Sequence, residues 1–406
     1  MDKKELDRLR KLIRRIENRD NTRQTTKKDL KRAELKGEEI TNSAGSFLLI
    51  ENEYPLSDVH GNTAFKEFFD IKKKYLALIG KEERFRDIEL NEIAFIDTES
   101  TGLSGTGIYL FLIGIGYFKK DKYILRQYFM RDFDEEEPML IEIDKFLDEF
   151  AALVSFNGKT FDIPNIEMRL ILTRIMKDIR SIPHLDLLHP ARRLWKQHLD
   201  AFNLTNLERN LLSFYRKDDV PSEQIPGIYF DYVRHRNPAM INKVIEHNAY
   251  DIISMVGILV KEVDVVSNYL SQPYDILFNA GRFYEKNSKL RTATEIFSKL
   301  FEAEDSCERE FFIKGSCRLA FIYKKLKLID DSIEIWEKLK PYSNFFGPDA
   351  FLELSKFYEH NKKDIEKALE TVKSGLNFCK DTYSYSSFIP DFENRLNRLE
   401  NKLVKT

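Results

Sequence analysis

Three apolar runs, at residues 93–97, 109–118 and 123–130, follow one another with only turns between them. Thr101-Gly102 precedes the second and Lys119-Lys120-Asp121 the third, so the segment reads as three successive β-strands. That commits the middle of the chain to a sheet. From residue 135 onward helices and strands alternate. "EEEPMLIEIDKFLDEF" is a helix with acidic residues in its first turn, where the helix dipole favours them. "ALVSF" is a short buried strand, and "FDIPNIEMRLILTRI" is a helix that tolerates Pro164 in its first turn. "PHLDLLHPARRLWKQH" is a strand turning into a helix, and "NPAMINKVIEHNAYDIISMVGILVKEV" is at least one long helix. The fold class this predicts is α/β, a mixed sheet with helices on its faces.

Beyond residue 272 the strand pattern ends and helical hairpins replace it. Tyr284, Tyr323 and Tyr358 recur at intervals of 39 and 35 residues, and Phe297 matches Trp336 in the second helices of the first two units. These intervals lie near the ~34-residue period of the tetratricopeptide (TPR) repeat. A final helix after Pro390 carries Phe392, Leu396, Leu399 and Leu403 on one side, as a cap would. The expected organisation is a basic helical extension over 1–42, an α/β domain over 43–270 and an all-α, TPR-like helical repeat domain over 271–406. A chain of 406 residues is long enough to require more than one core.

Residues 1–37 hold 14 Lys/Arg against 7 Asp/Glu, with Leu6, Leu9, Leu12, Ile13 and Ile16 at helical spacing. A solvated helix docked on the body is the favoured reading, ahead of an RNA-contacting arm or a membrane-surface helix. A net charge of −2 gives no global attraction for nucleic acid, so any such attraction must be local. Three cysteines, all late in the chain and without CxxC spacing, fit reduced thiols in a cytoplasmic protein. No stretch has the apolar length of a signal peptide core or a membrane span.

The strand at 93–97 ends on Asp97, and Glu99 lies two positions on, so both carboxylates project from one face. Their mutual repulsion is relieved by a bound cation, and hard oxygen ligands indicate Mg²⁺ or Mn²⁺. Asp-x-Glu is nonetheless common on ordinary strands. Two further segments bear on it. "SFNGKTFD" places Asp162 at a helix start, where an N-cap is the plain alternative. "HNAYD" puts His247 and Asp251 one turn apart, with Asp251 against Ile252, Ile253, Met255 and Val256, a setting costly for an unpaired carboxylate.

Asp97-x-Glu99, "SFNGKTFD" and "HNAYD", in this order and on these element types, resemble the three motifs of DEDD exonucleases, which have ribonuclease H-like folds. "GSFLLIENEYPLSDVHG" and "HLDLLHPARRLW" are similar to the YprB-type branch of that family, in which TPR-like repeats come after the nuclease domain. The resemblance covers about residues 43–260 well and the repeats loosely. It implies a two-metal nuclease with Asp97, Glu99, Asp162 and Asp251 as ligands of two Mg²⁺ or Mn²⁺ ions. It further implies 3′–5′ exonuclease action on RNA or single-stranded DNA. Other DEDD branches place a tyrosine four residues, or a histidine five residues, before the last aspartate; here His247 has the four-residue spacing. An imidazole suits a general base or a positioner of the attacking water, with Tyr250 as the competitor. Asn248 and Lys159 could contact phosphate or serve as turn and surface residues. Asp186 is a fifth carboxylate outside the ligand set. The alternative function is a non-catalytic nucleic-acid-binding scaffold whose repeats recruit a protein partner, and a phosphatase or nucleotide hydrolase uses similar ions.

Overall fold

The computed structural model describes residues 35–102 and 107–404. The basic helix expected near the N-terminus lies outside them up to residue 34. The chain divides into two compact units: residues up to 193 together with 199–267, and 194–198 together with residues from 268 onward.

A seven-stranded mixed sheet organises the first unit. In chain order its strands are β1 (Glu38–Asn42), β2 (Gly45–Pro55), β3 (Ile93–Ser100), β4 (Leu110–Lys119), β5 (Lys122–Phe129), β6 (Ala152–Ser155) and β7 (His184–Asp186). Their spatial order is β1-β2-β5-β4-β3-β6-β7. The pairs from β1 to β3 are antiparallel, whereas β3–β6 and β6–β7 are parallel. Turn chemistry sets the hairpins. Asn42 Oδ1 accepts a hydrogen bond from Ala44 N at 3.0 Å in the β1–β2 turn, and Lys120 takes φ 56° between β4 and β5. β1 corrects the sequence reading, which put residues 38–42 in a helical extension. Its "EEITN" is too polar to announce a strand, yet it pairs along its whole length with β2.

Both faces of the sheet are covered. On one face lie α2 (Glu136–Leu147), α3 (Asp162–Leu172) and α5 (Ile225–His235). Ile96, Ile113, Ile115, Ile143, Ile166 and Tyr229 join one buried cluster there, with Tyr229 stacked on Phe111 at 4.0 Å. On the other face the 30-residue α6 (Pro238–Ser267) crosses the sheet, beside α1 (Lys73–Gly80). Gly114 and Gly116 of "LIGIG" lie under α6. A Cβ on Gly114 would meet Ile252 Cδ1 at 2.1 Å and Asn248 Oδ1 at 2.4 Å, so the missing side chains let the helix sit close to the sheet. α4 (Leu188–Leu194) comes directly after β7.

The second unit is helical: α7 (Tyr274–Lys286), α8 (Leu290–Glu302), α9 (Arg309–Lys325), α10 (Ile329–Leu339), α11 (Asp349–Phe357), α12 (Ile365–Asp381) and α13 (Ile389–Leu403). Ala293, Phe297, Trp336 and Ala368 are fully buried, Tyr284 is buried on α7, and Tyr358 is buried in the short helical turn that follows α11. α13 closes the unit with Phe392 and Leu399 buried. No helix among the described residues is long and apolar enough to cross a membrane.

Candidate active site

β3 enters the site as a buried apolar strand and turns polar at Asp97. Asp97 and Glu99 share the face that α6 covers, and a register shift between Glu99 and Ser100 ends regular pairing with β4. Asn248 of α6, fully buried, donates from Nδ2 to Asp97 Oδ2 at 2.8 Å. Its Oδ1 accepts from Gln127 Nε2 at 2.9 Å, so Asp97 is oriented through Asn248 from β5, two strands away across β4. Asn248 is thus buried and hydrogen-bonded at both amide atoms, against Asp97 on one side and Gln127 on the other.

Asp162 reaches the same place from the opposite face. Phe161 precedes α3 without a side-chain cap, and Asp162 is the helix's first residue. Its Oδ1 accepts from Thr98 Oγ1 at 2.5 Å. The turn before it is shaped by Asp186, buried, whose carboxylate accepts from the backbone N–H of Asn157 at 2.9 Å, Lys159 at 3.1 Å and Leu188 at 3.1 Å. The fifth carboxylate thus holds the loop that delivers Asp162. Lys159 is exposed.

α6 supplies His247 and Asp251 one turn apart. His247 Nε2 lies 3.5 Å from Asp251 Oδ2 and 4.0 Å from Glu99 Oε1. Glu99, His247 and Asp251 each offer one ligand atom within 4.8 Å of the others. Tyr250 is directed elsewhere: its hydroxyl donates to Glu246 at 2.6 Å, and that bond and burial push its pKa up to about 12.

The loop after residue 212 contributes two residues that carried no sequence signal. Asp219 Oδ1 lies 2.7 Å from His247 Nδ1. Arg216, its side chain 2 % exposed, bonds Glu208 Oε1 at 2.5 Å, pairs with Asp251 and lies 3.4 Å from Asp219. Glu208 also accepts from Ser254 at 2.6 Å, and Ser254 bonds His60 at 2.8 Å. The only advance hint was the run "YRKDD", whose charges have no periodicity to place them.

The electrostatics match the crowding. Burial, then the carboxylates of Asp251 and Asp162, push Asp97 and Glu99 well above the usual carboxylate range. Burial raises Asp162 to about 7, despite the Thr98 hydrogen bond. Burial alone would lower Arg216, but Asp251 and Glu208 more than reverse that and hold it charged. Hard anionic oxygens that repel one another and resist ionisation form a donor set that fits divalent cations. One guanidinium does not offset the charge of the group.

Residues 94–263 match the family described as the RNase_H superfamily, and the seven-stranded mixed sheet with helices on both faces is consistent with a ribonuclease H-like fold. Over 345 residues the chain is 28% identical to the uncharacterized protein YprB of Bacillus subtilis (strain 168), across 81% of this chain and 80% of that protein.

Proposed function

We propose that this chain is a metal-dependent nuclease, a DEDD-type 3′–5′ exonuclease acting on RNA or single-stranded DNA. The observation that carries this reading is that Glu99, His247 and Asp251 each offer a ligand atom within 4.8 Å of the others, with Asp97 and Asp162 near enough for the acidic charges to act on one another. The superfamily match over the same residues supports it. In this reading the four carboxylates hold two Mg²⁺ or Mn²⁺ ions. When bound, such ions would supply an activated water and offset charge on the phosphate and the leaving oxygen. His247 takes the proton of the attacking water at Nε2, the ring nitrogen facing the carboxylates. Asp219, on Nδ1, fixes the ring's orientation and tautomer. Asn248 and Thr98 keep Asp97 and Asp162 in place. Arg216 holds Asp251 from the side away from Nε2: it engages Oδ1, whereas Nε2 faces Oδ2. The helical unit, read as TPR-like repeats, recruits a protein partner.

The test uses 5′-labelled RNA and DNA, single- and double-stranded, with Mn²⁺, Mg²⁺ or EDTA, beside Asp97→Ala and Asp251→Ala. A ladder that requires metal and vanishes in both variants is expected; intact substrate in every condition refutes the nuclease and favours the scaffold. His247→Ala should lower kcat about 10²- to 10⁴-fold, as loss of a general base does. His247→Tyr should retain part of the activity. Wild-type turnover in His247→Ala would remove the histidine from the reaction.

A further inference from the structure

The loop that brings Arg216 and Asp219 into the site alternates between two sides. Phe214 turns inward, its ring 4.0 Å from His60 and 5.3 Å from Tyr250. Arg216 turns inward onto Asp251, and Asp219 onto His247. Two residues of the same segment face solvent. Tyr215 is 67 % exposed, and Lys217 is exposed with no ion-pair partner among the described residues. Phe214 N bonds Glu208 O at 3.0 Å, and Ser213 and Asp218 take left-handed backbone angles at either end of the run. The loop is therefore fastened through Phe214, Arg216 and Asp219, and its exposed aromatic and cation stand one residue either side of a guanidinium bonded to the acidic cluster.

Folding gives no account of that placement. A tyrosine held in solvent gains little from burial and makes no hydrogen bond among the described residues, and Lys217 pairs with none of their carboxylates although Asp218 lies beside it. Ordinary surface loops carry such residues on mobile tips; this one is anchored to the residues around the cation-binding cluster. An aromatic face with an adjacent cation is the pairing that grips an unpaired nucleotide: the base stacks on the ring and the phosphate meets the ammonium. In a duplex both faces of an internal base are already covered, so the pairing selects an unpaired strand.

We infer that the 213–220 loop is a substrate clamp for single-stranded nucleic acid, in which Tyr215 stacks on a base near the cleaved end and Lys217 contacts its phosphate. This rests on the nuclease reading for its place beside the site but not for its test. Stacking on one base changes affinity about 5- to 150-fold.

The full-length chain is mixed in EDTA, so that nothing is cut, with single-stranded RNA or DNA oligonucleotides carrying 2-aminopurine at the 3′-terminal or penultimate position. Wild type should quench the fluorophore on binding. Tyr215→Ala should weaken binding at least fivefold and abolish the quench, with an unchanged melting temperature. Tyr215→Phe should bind within about twofold of wild type, because the ring is what stacks. Lys217→Ala should weaken binding of RNA and DNA alike and lower the salt dependence by about one ion. Equal binding by Tyr215→Ala, equal losses in the Ala and Phe variants, or no quench in wild type would each overturn the clamp. Tyr215-dependent binding without cleavage once metal is restored would refute the nuclease and leave the clamp standing. Cleavage indifferent to Tyr215 would do the reverse.

Discussion

Asp162 shows what the site costs the folded chain. Its carboxyl ionises in the unfolded chain in the ordinary range, but in the folded protein burial raises it to about 7. Between those values the native state binds more protons than the unfolded state, so stability falls as pH rises through that window. Asp97 and Glu99, raised by burial and by their acidic neighbours, act in the same direction. Divalent cations bind the deprotonated forms and displace those protons, so their stabilising effect should grow with pH. The metal-free protein should therefore melt at a lower temperature at pH 8 than at pH 5.5. Added Mn²⁺ should raise the melting temperature more at pH 8. Asp162→Asn keeps an acceptor for Thr98 while removing a charge. It should raise the metal-free melting temperature at pH 8 by a few degrees, about 1 kcal/mol for a domain of this size, and shrink the Mn²⁺ increment. A metal-free protein that gains stability from pH 5.5 to 8 would contradict the assignment.

At the scale of elements, the site depends on how closely α6 can approach the sheet. Asp97, Gly114 and Gln127 stand in one row across β3, β4 and β5, and Asn248 rests on the bare glycine between the two side chains it joins. In Gly114→Ala the new methyl would overlap Asn248 and Ile252, so helix or strand must shift. Overpacking of this kind costs about 1–3 kcal/mol. The displaced Asn248 releases Asp97, so turnover should fall more than stability alone predicts. Chemical denaturation and single-turnover cleavage on the same samples measure both; wild-type cleavage in a destabilised Gly114→Ala would show that Asn248 does not position Asp97. The same row shows what the sequence discloses. Asp97 with Glu99, and His247 with Asp251, were legible because each pair obeys a local period, two along a strand and four along a helix. The strands "IAFID" and "LFLIGIGYF" were legible as apolar runs. Arg216 and Asp219 were not, because their partners lie 35 and 28 positions away and their own loop has no period. β1 was missed for a related reason: an edge strand with one side in solvent needs few apolar residues, and its identity comes from pairing with β2.

For the whole molecule, the two units carry separate cores and separate chemistry. The cation-binding candidates all lie in the first, and the second is held by apolar packing around Phe297, Trp336 and Leu354. It is also held by a buried carboxylate: Glu359 accepts from Arg395 at 2.9 Å, Arg398 at 2.5 Å and Lys402 at 2.6 Å on the closing helix α13. A chain built this way need not unfold in one step. Ligand linkage acts only on a unit whose native form binds the ligand. Calorimetry of the full chain should therefore resolve two transitions, with Mn²⁺ raising one and leaving the other in place. Asp97→Asn should abolish that rise without moving the second transition. Trp336→Ala removes a fully buried indole worth about 3–5 kcal/mol and should lower only the transition that metal ignores. A single peak displaced by both substitutions would mean that the units fold as one cooperative body, and that metal binding is felt throughout the helical unit.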